Sequence, residues 1–144
     1  MVGMRRARLV CIVCLTAMAS VAVRANNENW VLIFTANNSA YKAYLNLNDH
    51  RTDGTGYPLR DVRITAISDV FRGWIKKNYP GSETADYALD PYSIDCTGKT
   101  VGEHRVVFYD ANGFPLGNFD FGGHMAPPIA GSMKDALMDK VCGF

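Results

Sequence analysis

The sequence predicts an α+β domain: an antiparallel sheet of about five or six strands, with a C-terminal helix packed on one face and tethered there by a disulfide. Three observations carry this expectation. Short runs of strand-forming residues recur between turn clusters rich in Asn, Asp and Gly. One stretch near the end, over residues 133–141, places apolar side chains at helical spacing behind a capping serine. Cys96 closes a strand-like run and Cys142 closes that helical stretch, so the two can join sheet to helix.

The elements follow in order. Trp30-Val-Leu-Ile-Phe34 is an apolar run of strand formers, and Ala36-Asn-Asn-Ser39 turns the chain. Residues 41–47 alternate, with Tyr41, Ala43, Leu45 and Leu47 sharing a face, which predicts a first hairpin. Residues 48–58 form a polar loop punctuated by Asp53-Gly54 and Gly56. Residues 62–75 fit two patterns. Val62, Ala66, Val70 and Trp74, with Ile67, Phe71 and Ile75, follow a helical period, whereas Val62, Ile64 and Ala66 alternate as in a strand. Periodicity alone narrowly favours helix, and Pro80-Gly81 ends either element. Residues 87–96 read as a strand with Pro91 near a bend or edge; Thr97-Gly-Lys99 turns; His104–Tyr109 is a strand. Asn112-Gly113 suits the positive φ angles of a tight hairpin, from which 114–121 returns. After Pro127-Pro128, Ser132 caps a helix, with Asp135 approximating the reciprocal acid of a capping box. Met133, Ala136, Leu137 and Val141 form the apolar stripe that packs on the sheet, leaving Lys134 and Asp135 to face solvent. Sheet area beyond the reach of one short helix calls for cover by loops, by a second copy of the chain in a homodimer, or by a ligand protein.

The 144 residues suffice for one domain with a single modest core. With 48% hydrophobic and 20% charged residues, the chain is neither collagen-like nor wholly disordered. Residues 1–25 read as a cleavable signal peptide and 26–144 as the mature domain. Arg5, Arg6 and Arg8 form a basic start, Leu9–Val23 is apolar apart from Thr16 and Ser20, and Val23-Arg-Ala25 suits cleavage. That apolar run is shorter than the ~20 residues of a membrane-spanning helix. Cys11 and Cys14 each follow a valine rather than the small residue that lipid attachment needs, so a lipid anchor is not expected. Four of the 15 basic residues fall in this leader, leaving 11 against 14 acidic ones. That balance argues against a nucleic-acid partner. The expectation is a protein exported to the periplasm or cell surface, with no membrane span after cleavage.

Cys96 and Cys142 are the cysteines left after cleavage. In an oxidising compartment an even pair reads as a disulfide. The chain-entropy model assigns such a closure about 4 kcal/mol. It would pin a helix of about ten residues that is marginal alone.

Over most of the mature chain, and sharply from about residue 87 onward, the sequence resembles the surface-adhesin protein E-like family of small exported bacterial proteins. The resemblance rests on Asp95-Cys96, Thr97-Gly-Lys-Thr100, Arg105-Val-Val-Phe-Tyr109, Asp110-x-x-Gly113 and Pro127-Pro-Ile-Ala-Gly-Ser132, together with Ala136-Leu-Met-Asp-Lys-Val-Cys142 and the early Trp30. It implies an antiparallel sheet with a tethered terminal helix and tips 62–70 toward strand. It also implies an adhesin that binds host matrix proteins such as vitronectin and laminin. No receptor-binding segment matches residue by residue.

Other groupings favour binding over catalysis. His50, His104 and His124 lie on separate elements without metal spacing. Asp49–Gly54 mimics a calcium loop but places Arg51 and Arg60 where oxygen ligands are required. Ser132 lacks a nucleophile elbow and reads as a cap. Asn37-Asn-Ser39 is a glycosylation sequon by pattern and reads as a turn. Asp86, Asp90 and Asp95 read as a solvated strand edge rather than an acid–base pair. The aromatics between Tyr87 and Phe121 read as cross-strand pairs. No enzyme, metal or cofactor is expected. The sequence points to a binding protein whose partner is a host matrix protein or, as the second reading, another bacterial envelope protein.

Overall fold

Eight strands pair throughout in antiparallel fashion in the computed structural model, which describes residues 28–65 and 67–144. The signal-peptide reading of residues 1–25 lies outside the described residues. Strands β1 (Trp30–Thr35), β2 (Lys42–Asn46), β3 (Leu59–Thr65) and β4 (Tyr87–Asp95) lie side by side in that order. Beyond β4 the sheet forks. Strand β5 (Thr100–Glu103) pairs with Tyr92–Asp95, whereas β6 (Arg105–Tyr109) pairs with Tyr87–Leu89. Each branch carries one more strand: β7 (Pro115–Asp120) beside β6 and β8 (Met125–Ala126) beside β5.

Pro91 sits at the fork. It has no N–H to give, and between the two branches its carbonyl accepts the backbone N–H of His104 at 3.0 Å. The expected bend at Pro91 is therefore a change of neighbour within a continuous strand. The expected count of five or six strands falls short for two reasons. The run after the Thr97 turn is two strands broken at His104, and β8 is only two residues long.

Residues 62–75 are both of the alternatives in succession. Strand β3 runs to Thr65, and helix α1 (Asp69–Asn78) follows. Ser68 marks the change: its side chain accepts from the N–H of Phe71 at 3.3 Å, and Asp69 places an acid in the first turn.

Helix α2 (Met133–Cys142) starts at Ser132, whose Oγ accepts from the N–H of Asp135 at 3.3 Å. The Asp135 carboxylate reaches back to the N–H of Gly131 at 2.7 Å, one residue before the cap. Gly143, at φ +73°, closes the helix in the left-handed conformation. Cys142 is bonded to Cys96, with 5.6 Å between Cα atoms, so the last turn of α2 is joined to the residue that follows β4.

Both helices pack on the same sheet face. Under α2 lies a core of Leu45, Val62, Ile94 and Val101 against Met133, Leu137 and Met138, with Val141 and the disulfide at its margin. Under α1 lie Ala88, Val106 and Phe108 against Ile75. Met138 joins the buried stripe, while Ala136 is half-buried beside Leu32 and Ile33 of β1. Lys134 does not simply face solvent as expected but pairs with Glu103 of β5 at 2.7 Å. Among the described residues no helix is long and apolar enough to cross a membrane.

Candidate functional site

Strand alternation places Ala88, Asp90, Tyr92 and Ile94 on the covered face. The outer two belong to the apolar cores beneath the helices. Tyr92 joins Ile94 in the core under α2, and Asp90 lies between the two cores, where a cavity of about 680 Å³ opens. Its size is that of a small-molecule site. One wall comes from Phe71 and Trp74 of α1 and Tyr79 just beyond it. The other comes from the segment Ala126–Ile129 and the first turn of α2. Aromatic rings follow one another along the first wall: Tyr41 to Phe71 at 4.8 Å, Phe71 stacked on Trp74 at 5.3 Å, and Trp74 edge-on to Tyr79 at 5.5 Å.

The floor is polar. Glu103 stands opposite Tyr92 across the β4–β5 pair. Its carboxylate holds the Lys134 ammonium, which also lies 5.7 Å from the centre of the Tyr92 ring. The Tyr92 hydroxyl donates to Oδ2 of Asp90. The other oxygen, Oδ1, is buried and accepts from no protein donor, in a residue only 3% exposed, and the Asp90 carboxyl lies within hydrogen-bonding reach of the Glu103 carboxyl. Burial pushes the Asp90 carboxyl up to about 8, and the charge of Glu103 and a hydrogen bond to its carboxyl add to the rise; the Tyr92 hydrogen bond and the Lys134 charge oppose it. At neutral pH Asp90 is therefore mostly a neutral acid. Burial also raises the hydroxyls of Tyr41, Tyr79 and Tyr92, with the Glu103 and Asp90 charges acting in the same direction. The expectation that Asp90 is solvated is thus corrected. Its position is inward on a central strand, and spacing to Asp86 and Asp95 carries no information about which face it occupies.

A second polar cluster lies on the opposite face. Ser93, 1% exposed, donates from Oγ to Asp53 and sits 2.7 Å from Nε2 of His104. The residue types are those of a hydrolase triad, but the order is not. Serine stands between acid and imidazole, whereas nucleophilic activation needs the imidazole in the middle. The cluster instead clasps the 49–58 loop to the fork in the sheet. Asp53 also accepts the N–H groups of Thr55 and Tyr57, and the Ser93 and Thr55 hydrogen bonds hold its carboxyl far below the usual range. Asp49 fastens the same loop. Burial acts to raise its pKa, but hydrogen bonds from Arg51 at 2.7 and 2.8 Å and from the Asp61 N–H outweigh this and leave it lowered.

The remaining sequence-singled residues are dispersed. Tyr87 and Tyr109 do form a stacked cross-strand pair at 5.0 Å, whereas Phe119 and Phe121 are exposed and contact each other at 4.8 Å. Among the described residues no group of three or more His, Cys, Asp or Glu side chains is placed to hold a metal ion. Ser132 and Met133 line the cavity, so cap and packing residues contribute to its wall. Sequence reasoning missed Glu103 and Lys134; the signal available was an acid two residues beyond the apolar Val101 in a strand facing the core. No protein-family model, curated protein or solved structure matches this chain.

Proposed function

We propose that the protein is an exported, non-enzymatic binding protein of the bacterial cell envelope that holds an apolar molecule in the cavity between α1 and α2. The observation that carries this reading is the cavity itself: about 680 Å³, aromatic and aliphatic walls, and polar groups gathered at one place on its floor. Export is supported by the signal-like leader and the Cys96–Cys142 bond. Trp74 provides the test because it lines the wall, and the other tryptophan, Trp30, is in β1. In a Trp30→Phe variant, titration with 1-octanol should change Trp74 emission saturably. Emission that stays constant up to the solubility limit of octanol would overturn the reading.

A protein partner is the second reading, in line with the resemblance to surface-adhesin protein E-like proteins. The sheet face opposite the helices favours it. There Arg63 lies over the ring of Tyr87 at 4.3 Å and near that of Trp30 at 6.0 Å, and Arg and aromatic side chains are what protein interfaces favour. A host matrix protein, another envelope protein or a second copy of the chain would fit that face. Binding of purified residues 26–144 to immobilised matrix proteins, weakened at least tenfold by Arg63→Ala, would support an adhesin. Light scattering distinguishes a homodimer.

A further inference from the structure

We propose, on the basis of the cavity reading above, that its ligand carries a protonated amine on an apolar body, with the ammonium seated against Asp90. Three features of the geometry converge on this chemistry. The first is the buried carboxyl of Asp90 on the cavity lining: its Oδ1 accepts from no protein donor, and when protonated the group shares its hydrogen with the Glu103 carboxyl. A buried polar atom left unpaired is costly, and a ligand donor would relieve that cost. The second is charge. Two carboxyls and one ammonium meet at the floor, and the ammonium of Lys134 is committed to Glu103 at 2.7 Å. Asp90 is left as the carboxyl without a cation. The third is the aromatic wall of Tyr41, Phe71, Trp74 and Tyr79, whose ring faces attract positive charge and whose carbon surfaces accept an apolar body.

The groups facing Asp90 set how binding depends on pH. Glu103 and Tyr92 face it from the sheet, Lys134 from α2, Tyr41 from the chain before β2 and Tyr79 from the chain after α1; His124 lies on the lining. Among these, Glu103 raises the Asp90 pKa, and Tyr92 and Lys134 lower it. The free protein therefore holds a proton on Asp90 at neutral pH. An ammonium brought against that carboxyl favours its charged form, so the proton leaves to solvent as the amine binds. Affinity for an amine should rise with pH until Asp90 is ionised in the free protein, then level off. An alcohol with the same chain should show no such rise.

The test compares octylammonium, 1-octanol and octanoate by calorimetry and by Trp74 emission in the Trp30→Phe protein at pH 6, 7 and 8. Octylammonium should bind at least tenfold tighter than octanol at pH 8, with the advantage shrinking toward pH 6. At pH 7 its binding heat should differ between phosphate and Tris buffers by the amount expected for release of most of one proton. In Asp90→Asn the advantage of octylammonium over octanol and the proton release should both vanish. The buffer comparison uses the unaltered floor and so stands even if that variant fails to fold. Octanol binding as tightly as octylammonium, or octanoate binding most tightly, would overturn the amine proposal and leave the cavity reading standing. Failure of all three to bind would overturn both.

Discussion

Tyr92 and Glu103 face each other across β4 and β5, and Lys134 touches both, pairing with the carboxylate at 2.7 Å and lying over the tyrosine ring at 5.7 Å. The first turn of α2 is thus fastened to the floor of the cavity by charge, while its last turn is fastened to the sheet by a covalent bond. Between those two ties the helix relies on packing.

Leu137 is the centre of that packing, with no exposed surface. Leu137→Ala should cost about 2–5 kcal/mol, read from urea denaturation of the chain from residue 26. Asp139, exposed on the same helix, should tolerate Ala within about 0.5 kcal/mol. Equal stability of Leu137→Ala and wild type would contradict the packing described.

The disulfide should govern α2 before it governs the sheet. The chain from residue 26 should show no free thiol under denaturing, non-reducing conditions. Cys142→Ser should speed amide exchange in α2 well ahead of exchange in β3 and β4, because a helix of about ten residues does not hold itself. Faster exchange in β3 and β4 first would show that the bond braces the sheet instead.

Ser93 joins loop, central strand and fork through Asp53 and His104. Ser93→Ala leaves both partners short of a hydrogen bond and should cost about 1–3 kcal/mol. The loss should appear as faster exchange of the Thr55 and Tyr57 amides, which Asp53 also accepts. Octanol binding in the cavity, on the other face, should be unchanged; a parallel loss of binding would show that the clasp shapes the cavity.

Asp90 gives the stability a slope with pH. Its folded pKa of about 8 lies above the ordinary 3.8, so the folded chain keeps a proton that the unfolded chain has released. Between about pH 4 and pH 8 the unfolded state binds fewer protons, and stability from this group falls as pH rises, by on the order of a few kcal/mol. Asp90→Asn should remove that slope, gaining on wild type at pH 8 relative to pH 5 in urea midpoints. Asp49, whose folded pKa is lowered, acts in the opposite sense: its contribution is present above about pH 4 and fades as acid is added. Identical slopes for Asp90→Asn and wild type would show that Asp90 is charged in the folded protein.

Much of the framework was legible because it depends on local chemistry. The Asn112-Gly113 hairpin turn forms, with Gly113 but not Asn112 at positive φ (+82°) and the Asp110 carboxylate accepting from the N–H groups of Asn112 and Phe114. Ser132 caps α2, and the cysteine pair closes as an oxidised chain would require. Residues 62–75 defied a single assignment because they contain two elements, a strand ending at Thr65 and a helix starting at Asp69, and the gap between them is shorter than the window over which periodicity is judged. The fork at His104 was hidden for another reason: a break in strand pairing leaves no turn residues behind. The cavity was least visible. Asp90, Glu103 and Lys134 come from β4, β5 and α2, and only the register of Tyr92 with Glu103 and the seating of α2 bring them together.

The two walls of the cavity are held by different means. The α2 wall is cross-linked, whereas the α1 wall, with Phe71 and Trp74, rests on its cap at Ser68 and on the core around Ile75. The size of the chamber can therefore drift through changes on one side alone. Replacing Phe71 or Trp74 with smaller or larger side chains reshapes the chamber while the covalent frame and the acidic floor stay in register. Variation on this scaffold can alter the chamber without re-inventing how the chain folds.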